Sequence, residues 1–384
     1  MIETILHNLQ MPIPGLGLVG PSANGKLLDP RTIILVLIVL VTLTIFLFVG
    51  QILKRRPESH IDPAIIRNFN KRVTTWLTIC ALLVVALFFQ IKVVTVVLFG
   101  FVSFWALREF ITMTPTRRGD HRTLFWVLFG FTPLQYVLVG LDLYAIYTIM
   151  IPVYASLFIP ARIAFTSDHK RFLERTAKIQ FGLLICVYSL SHAPALLNLD
   201  DLVTFNTSAA QAGDQAMLPD GAVPWDGSTA GLLFFFIVMV QVSDMLHFVW
   251  DRLFGKYVIA PSVNTTKTWE GLIGAACCTV LVAMLLQSLL PVTPFTWYGA
   301  GFMALLISVM ASSGSMTMSA IKRDRRVKDH GTLVMGHAGV LDRIDSLCFA
   351  APIFFHATRL FLDGENRIMF GATKEAVAMF FTGG

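Results

Sequence analysis

The sequence predicts an all-α integral membrane protein, a polytopic bundle of about ten transmembrane helices, and three observations predict it. Charged residues make up 14% of the 384 residues, against roughly 25% in an average soluble domain. The mean hydropathy of +0.69 leaves too little polar surface for a water-soluble chain of this length. Apolar runs close to the roughly 20 residues needed to cross hydrocarbon recur from one end to the other.

The runs fall at 32–53, 74–91, 93–111, 123–141, 143–160, 179–197, 231–250, 270–290, 297–318 and 344–362. Residues 1–31, including "MPIPGLGLVG", read as a Pro/Gly-rich surface segment without legible chemistry. They lack the charged start, short apolar core and small-residue cleavage site of a secretory signal, so the first apolar run is expected to be retained. Residues 32–230 then form the N-terminal transmembrane helices and an external loop, 231–362 a second transmembrane region with polar loops, and 363–384 a tail. Cys80, Cys186, Cys277, Cys278 and Cys348 all lie within proposed spans. They read as small apolar packing residues rather than a disulfide framework or metal site.

Alternation of these spans puts the loops at 54–73, 112–122, 161–178, 251–269 and 319–343 on one side. With Arg108 at a helix end, that side holds 24 of the 30 lysines and arginines. The positive-inside rule makes it cytoplasmic and places both termini outside. The 198–230 loop, with five aspartates and no lysine or arginine, is external by the same logic. The net charge of +6 therefore reads as basicity of the cytoplasmic face, suited to anionic membrane lipids. Nucleic acid is excluded as a partner, because no soluble basic domain with interleaved aromatics exists.

Three features on the cytoplasmic side exceed this account. In "QVSDMLHFVWDRLFGK", Ser243, Asp244, His247 and Asp251 recur at helical spacing at the end of the seventh span. An ionised aspartate in a span costs on the order of 2.5–3.5 kcal/mol, so Asp244 should face a wet cavity, a cation or a positive partner. In "NTTKTWEGLIGAA", Lys267 and the hydroxyls of Thr265, Thr266 and Thr268 stand at a helix start, where free N–H groups favour an anion; Thr268 and Glu270 are equally good caps. In "GHAGVLDRIDS", Asp342 and Asp345 project from one side of a helix start. Their repulsion calls for a divalent cation or an arginine. Oxygen ligands of this kind suit Mg²⁺, with Lys322, Arg323 and Lys328 free to hold phosphates.

The stretch "SAIKRDRRVKDHGTLVMGHAGVLDRIDS" resembles the signature of the phosphatidate cytidylyltransferase (CDP-diacylglycerol synthase) family, approximately S-x-x-K-R-x4-K-D-x6-G-H-G-G-x-x-D-R-x-D. Ser319, Lys322, Arg323, Lys328, Asp329, Gly336, His337, Gly339, Asp342, Arg343 and Asp345 fall on it in register. The family's "SPxKTWEG" element resembles residues 264–271, and its "SD…FGK" element residues 243–256. The chain departs at Ala338, at Met335, at Asn264-Thr265 in place of Ser-Pro, and at Ser315, where the family commonly has the Asp of G-D-L.

The resemblance implies transfer of CMP from CTP to phosphatidic acid, giving CDP-diacylglycerol and pyrophosphate, at a cytoplasm-facing active site in a membrane of the bacterial inner-membrane type. It implies a catalytic set of Lys322, Arg323, Lys328, Asp329, His337, Asp342, Arg343 and Asp345. Lys267, Thr268, Ser319, Gly336 and Gly339 would contact the nucleotide, and Asp244, Asp329, Asp342 and Asp345 would hold Mg²⁺. The sequence leaves oligomeric state open, a homodimer included. Three rival readings stand beside this one: a catalytically weak homologue, a CDP-alcohol phosphotransferase-like enzyme, and a transporter or lipid-binding protein. The phosphotransferase lacks its D-G-x2-A-R start here, and the transporter leaves the ordered charges unexplained.

Overall fold

The computed structural model describes residues 29–55, 63–89, 91–114, 117–166, 169–200, 202, 227–325 and 339–362. They form helices α1 (Pro30–Arg55), α2 (Pro63–Phe88), α3 (Lys92–Met113), α4 (His121–Gly140), α5 (Tyr144–Ala164) and α6 (Phe172–Leu199). Helices α7 (Thr229–Leu253), α8 (Trp269–Leu289), α9 (Trp297–Asp324) and α10 (Leu341–Leu362) follow. Strands β1 (Val258–Ala260) and β2 (Asn264–Thr268) pair antiparallel between α7 and α8. The protein is thus an all-α polytopic membrane protein, with a helix at every run the sequence nominated.

Eight helices, α1 and α3 to α9, are long and apolar enough to cross a membrane. Helix α2 differs from expectation: its apolar part is the shorter Trp76–Leu87, and the helix extends back through Arg67, Lys71 and Arg72 to Pro63. Helix α10 differs because Asp345, His356 and Arg359 lie along it, each a residue that needs a polar partner inside the bundle. Cys80, Cys186 and Cys348 are buried as expected, but on α8 Cys277 is exposed and Cys278 only partly buried.

The helix ends follow local chemistry. Ser228, Thr268 and Thr296 cap α7, α8 and α9 through side-chain oxygens that accept from the N–H groups of Gly231, Gly271 and Gly299. Asp142, at φ 57°, makes the left-handed turn from α4 into α5. Each of α4, α5 and α6 contains a π-helical turn, at Val127–Phe131, Met150–Ala155 and Leu184–Ser189. Pro152 lies within the second, where its missing N–H breaks the regular ladder. The hydroxyls of Thr132 and Ser156 donate to the carbonyls of Val127 and Ile151, which keeps the widened turns satisfied without water.

Helix α7 is the centre of the bundle. From Thr229 to Val240 every residue is buried, and the ring of Phe236 stacks on Phe354 of α10 at 4.9 Å. Helix α8 packs on α7 and α9, and α9 on α10, which also meets α6. Contacts between the connecting ends fix the alternation. Arg325 after α9 meets Glu174 of α6 at 4.0 Å, Leu341 N–H of α10 donates to Glu109 of α3, and the β-hairpin sits against α7, α8 and α9. The described parts of the loops at 161–178, 251–269 and 319–343 therefore share one end of the bundle.

A buried ion pair locks the N-terminal half at that same end. Arg175 Nε donates to both Asp120 oxygens at 3.1 and 2.9 Å, Nη2 adds a further contact to Asp120 Oδ1, and Arg117 N–H donates to Oδ2 at 3.1 Å. Removing one partner leaves a buried charge uncompensated. Asp120→Ala is therefore expected to destabilise the protein by about 3–5 kcal/mol. Replacing both residues, as in Asp120→Leu with Arg175→Met, should cost less than Asp120→Ala alone, measured by thermal unfolding in detergent.

Candidate functional site

The polar ends of α7, α8 and α9 converge on the β-hairpin, and each is held by a specific bond. Asp251, near the end of α7, accepts from Thr268 N–H at 3.0 Å and from Thr268 Oγ1 at 2.7 Å. Thr268 Oγ1 in turn accepts from Gly271 N–H at 3.1 Å. Glu270 folds back to accept from the N–H groups of Lys256 and Tyr257, which closes the connection between α7 and the hairpin. On the hairpin's other side, Asn264 Nδ2 donates to Ser319 Oγ at 3.1 Å and Arg323 Nε donates to the Val263 carbonyl at 3.2 Å. Asn264 Oδ1 also accepts from Thr266 N–H and Oγ1, so the residue that departs from the family's Ser-Pro shapes this turn itself.

A second polar seam runs deeper between α7 and α9. Ser243 Oγ donates to Ser308 Oγ at 2.8 Å, and His247 Nε2 meets Ser312 Oγ at 2.5 Å. His247 Nδ1 stands 4.0 Å from Asp251 Oδ2. These contacts are buried and internal. They make His247 a link between helices.

The acids themselves are arranged across helices. Asp244 turns away from that seam toward α10, where its Oδ1 accepts from Ser346 Oγ at 2.9 Å. Asp345 Oδ1 accepts from Ser346 N–H at 2.8 Å and stands 3.5 Å from the same Oγ. One hydroxyl thus brings the carboxylates of α7 and α10 together. Asp342 instead forms an ion pair with Lys322 Nζ of α9 at 2.5 Å, both side chains about a fifth exposed (22% and 23%). Among the described residues, the charged neighbours of Asp345 are Asp244, Asp342 and Lys322. Helix α9 can approach α10 this closely because residue 314 is glycine. A β-carbon there would lie 2.6 Å from the Asp345 carbonyl and 3.0 Å from the Phe349 ring.

Several residues nominated from sequence stand differently from expectation. Thr268 and Ser319 were assigned to nucleotide contact, yet their hydroxyls are engaged in the Asp251–Gly271 cap and in the Asn264 bridge. Asp342 and Asp345 do not pair with each other; Asp345 meets Asp244, and Asp342 meets Lys322. Lys267 and Arg343 make no ion pair among the described residues and remain available to an anion. Gly339 lies directly against Glu109. Lys328, Asp329, Gly336, His337 and Ala338 lie outside the described residues.

Among the described residues no three His, Cys, Asp or Glu side chains form a group able to hold a metal ion. Mg²⁺ ordinarily takes only one or two protein carboxylates and fills its shell with water and substrate phosphate. The Asp244–Asp345 pair, two acids sharing one hydroxyl, fits that donor set. Sequence reasoning missed Ser346, Asp251 as the holder of Thr268, and Glu109. The signal for Glu109 was present, an ionisable residue near the end of an apolar run.

By fold and site this is a polytopic α-helical membrane protein that gathers acids and lysines at one end of its bundle. A model of the cytidylyltransferase family matches residues 70–361, and the chain belongs to that family, which makes it a nucleotidyltransferase by class. It is 32% identical to the uncharacterized protein YnbB of Escherichia coli (strain K12) over 290 residues, 75% of this chain and 86% of that protein. Over shorter stretches it is similar to phosphatidate cytidylyltransferases. It is 37% identical to that of Haemophilus influenzae over 129 residues and 32% identical to that of Staphylococcus epidermidis over 122 residues, each 32% of this chain. The chain spans less than half the length of these two relatives, 44% and 46%.

The Asp251–Thr268 bond predicts a selective defect. Asp251→Ala leaves the buried Thr268 N–H without its acceptor and is expected to cost about 1–3 kcal/mol. Asp251→Asn keeps an acceptor oxygen and should lose less, read as the shift in thermal midpoint for the two variants.

Proposed function

We propose that the protein transfers CMP from CTP to phosphatidic acid at the cytoplasmic face, releasing pyrophosphate and forming CDP-diacylglycerol. The observation that carries this reading is the meeting of Asp244 and Asp345 over Ser346, beside the Lys322–Asp342 pair. Acids for a cation and cations for phosphate then stand together at the end of the bundle where most of the basic residues lie. The names of the shorter-range relatives support the acceptor, and the count of basic residues supports the side.

The chemistry follows from the charges. An ionised oxygen of phosphatidate attacks the α-phosphorus of CTP, and the bond from that phosphorus to the bridging oxygen of the β-phosphate breaks. Both partners are anionic, so their repulsion must be screened for them to approach. Asp244 and Asp345 would hold Mg²⁺, which when bound supplies charge neutralisation along the phosphates. Lys322 is held against Asp342 and is placed to exchange that partner for an incoming phosphate oxygen. Lys267 and Arg343 add further positive charge, and such positioning and electrostatics supply most of the rate in phosphoryl transfer. No protein nucleophile is required, because the lipid phosphate is already ionised.

A second reading, a catalytically weak homologue, is favoured by one residue. Ser315 stands where the family commonly carries an aspartate, next to Gly314 at the contact with Asp345, and its short hydroxyl is a poorer cation ligand than a carboxylate.

Purified protein given labelled CTP, Mg²⁺ and phosphatidate in mixed micelles should form CMP-labelled lipid. CTP binding without labelled lipid would support the weak homologue, and the absence of both CTP binding and labelled lipid would end the assignment. Asp345→Asn and Asp244→Asn should each lower turnover about 100-fold, the scale of lost metal-directed function, without lowering the unfolding temperature. Ser315→Asp should raise turnover or lower the Mg²⁺ concentration needed for it, by about tenfold.

A further inference from the structure

Among the described residues, helix α10 has no side-chain cap from its own flank. Ser228, Thr268 and Thr296 supply local caps to α7, α8 and α9, whereas the described residues before α10 are Gly339 and Val340, whose side chains have no oxygen to offer. The acceptor comes instead from α3, 232 positions earlier in the chain: Glu109 Oε2 accepts from Leu341 N–H at 3.1 Å. The other oxygen, Oε1, faces Gly339, where a β-carbon would overlap the carboxylate. A carboxylate at this point satisfies a free N–H and opposes the positive end of the helix dipole. It also gives an acid near the end of an apolar helix the polar partner it needs.

We propose that Glu109 is a positioning residue for the cytidylyl-transfer site, fixing through Leu341 the first turn of α10 and with it Asp342 and Asp345. The N-terminal helices thereby act on the site through one side chain that touches neither of the two acids. Leu341 is adjacent to Asp342 and one helical turn before Asp345. Loss of the cap therefore frays the segment that presents one acid to Lys322 and the other to Asp244. Glycine at 339 lets the chain pass over the Glu109 carboxylate. The catalytic consequence rests on the function proposed above; the cap itself does not.

Two measurements separate these. Without substrate, hydrogen exchange at the amides of residues 341–345 should quicken about tenfold in Glu109→Ala, the effect of losing an end cap, with little change in α7 and α9. In turnover, Glu109→Ala should raise the half-saturating Mg²⁺ concentration about tenfold, as loss of an outer support does, and Glu109→Gln, which keeps the acceptor, should recover most of the difference. Gly339→Ala should be deleterious in the native background and markedly less so beside Glu109→Ala, where the space is vacant.

Unchanged exchange at 341–345 in Glu109→Ala would overturn the proposal. Altered exchange with a native Mg²⁺ dependence would also overturn it, leaving Glu109 as a structural cap only. Altered exchange in a protein whose native form makes no CMP-lipid would instead sink the proposed function while the cap stands.

Discussion

An ionised carboxylate on a helix surrounded by hydrocarbon persists only where the bundle supplies it with a polar partner, and that constraint organises this molecule. Asp244 and Asp345 are placed on helices that are otherwise built to be apolar. Each turns inward and meets the other over the Ser346 hydroxyl. Their location requires α7 and α10 to be neighbours with opposite directions, and Gly314 allows α9 to press in beside them. Lys322 then reaches Asp342 from the end of α9. The packing of the last four helices and the chemistry of their ends are thus one problem with one solution.

The β-hairpin between α7 and α8 is the second part of that solution. Its backbone and side chains are spent largely on fixing the helix ends: Asp251 to Thr268, Glu270 to the Lys256 and Tyr257 amides, Asn264 to Ser319, Arg323 to Val263. Residues that look like phosphate ligands in isolation serve here as joints. Lys267 and Arg343 stand apart from these joints and make no ion pair among the described residues. A family motif therefore includes residues whose polar groups are committed to holding helix ends, and spacing alone does not mark them.

The N-terminal helices share little of the signature, yet they reach the same end of the bundle. The Asp120–Arg175 pair ties the starts of α4 and α6, Glu174 meets Arg325, and Glu109 meets the start of α10. Buried ion pairs and long-range caps of this kind couple distant parts of the chain because a single unpaired charge costs more than the pair contributes.

Much of this was legible in the residues. The apolar runs gave the helices, since a bilayer leaves no other way to satisfy the backbone, and the distribution of lysine and arginine gave the shared side of the loops. Lys322, Asp342, Asp345 and Asp244 stood out as charges in improbable places. Partner choice was not legible. Side chains one turn apart on α10 reach different helices, so Asp345 pairs with Asp244 and Asp342 with Lys322, although their spacing suggested a pair of their own. Glu109 was visible as an acid near the end of an apolar run, but its partner, a backbone N–H 232 residues away, was not. Local sequence fixes the helices through their apolar runs; which polar groups meet depends on helix rotation and crossing, and only the packed tertiary structure decides those.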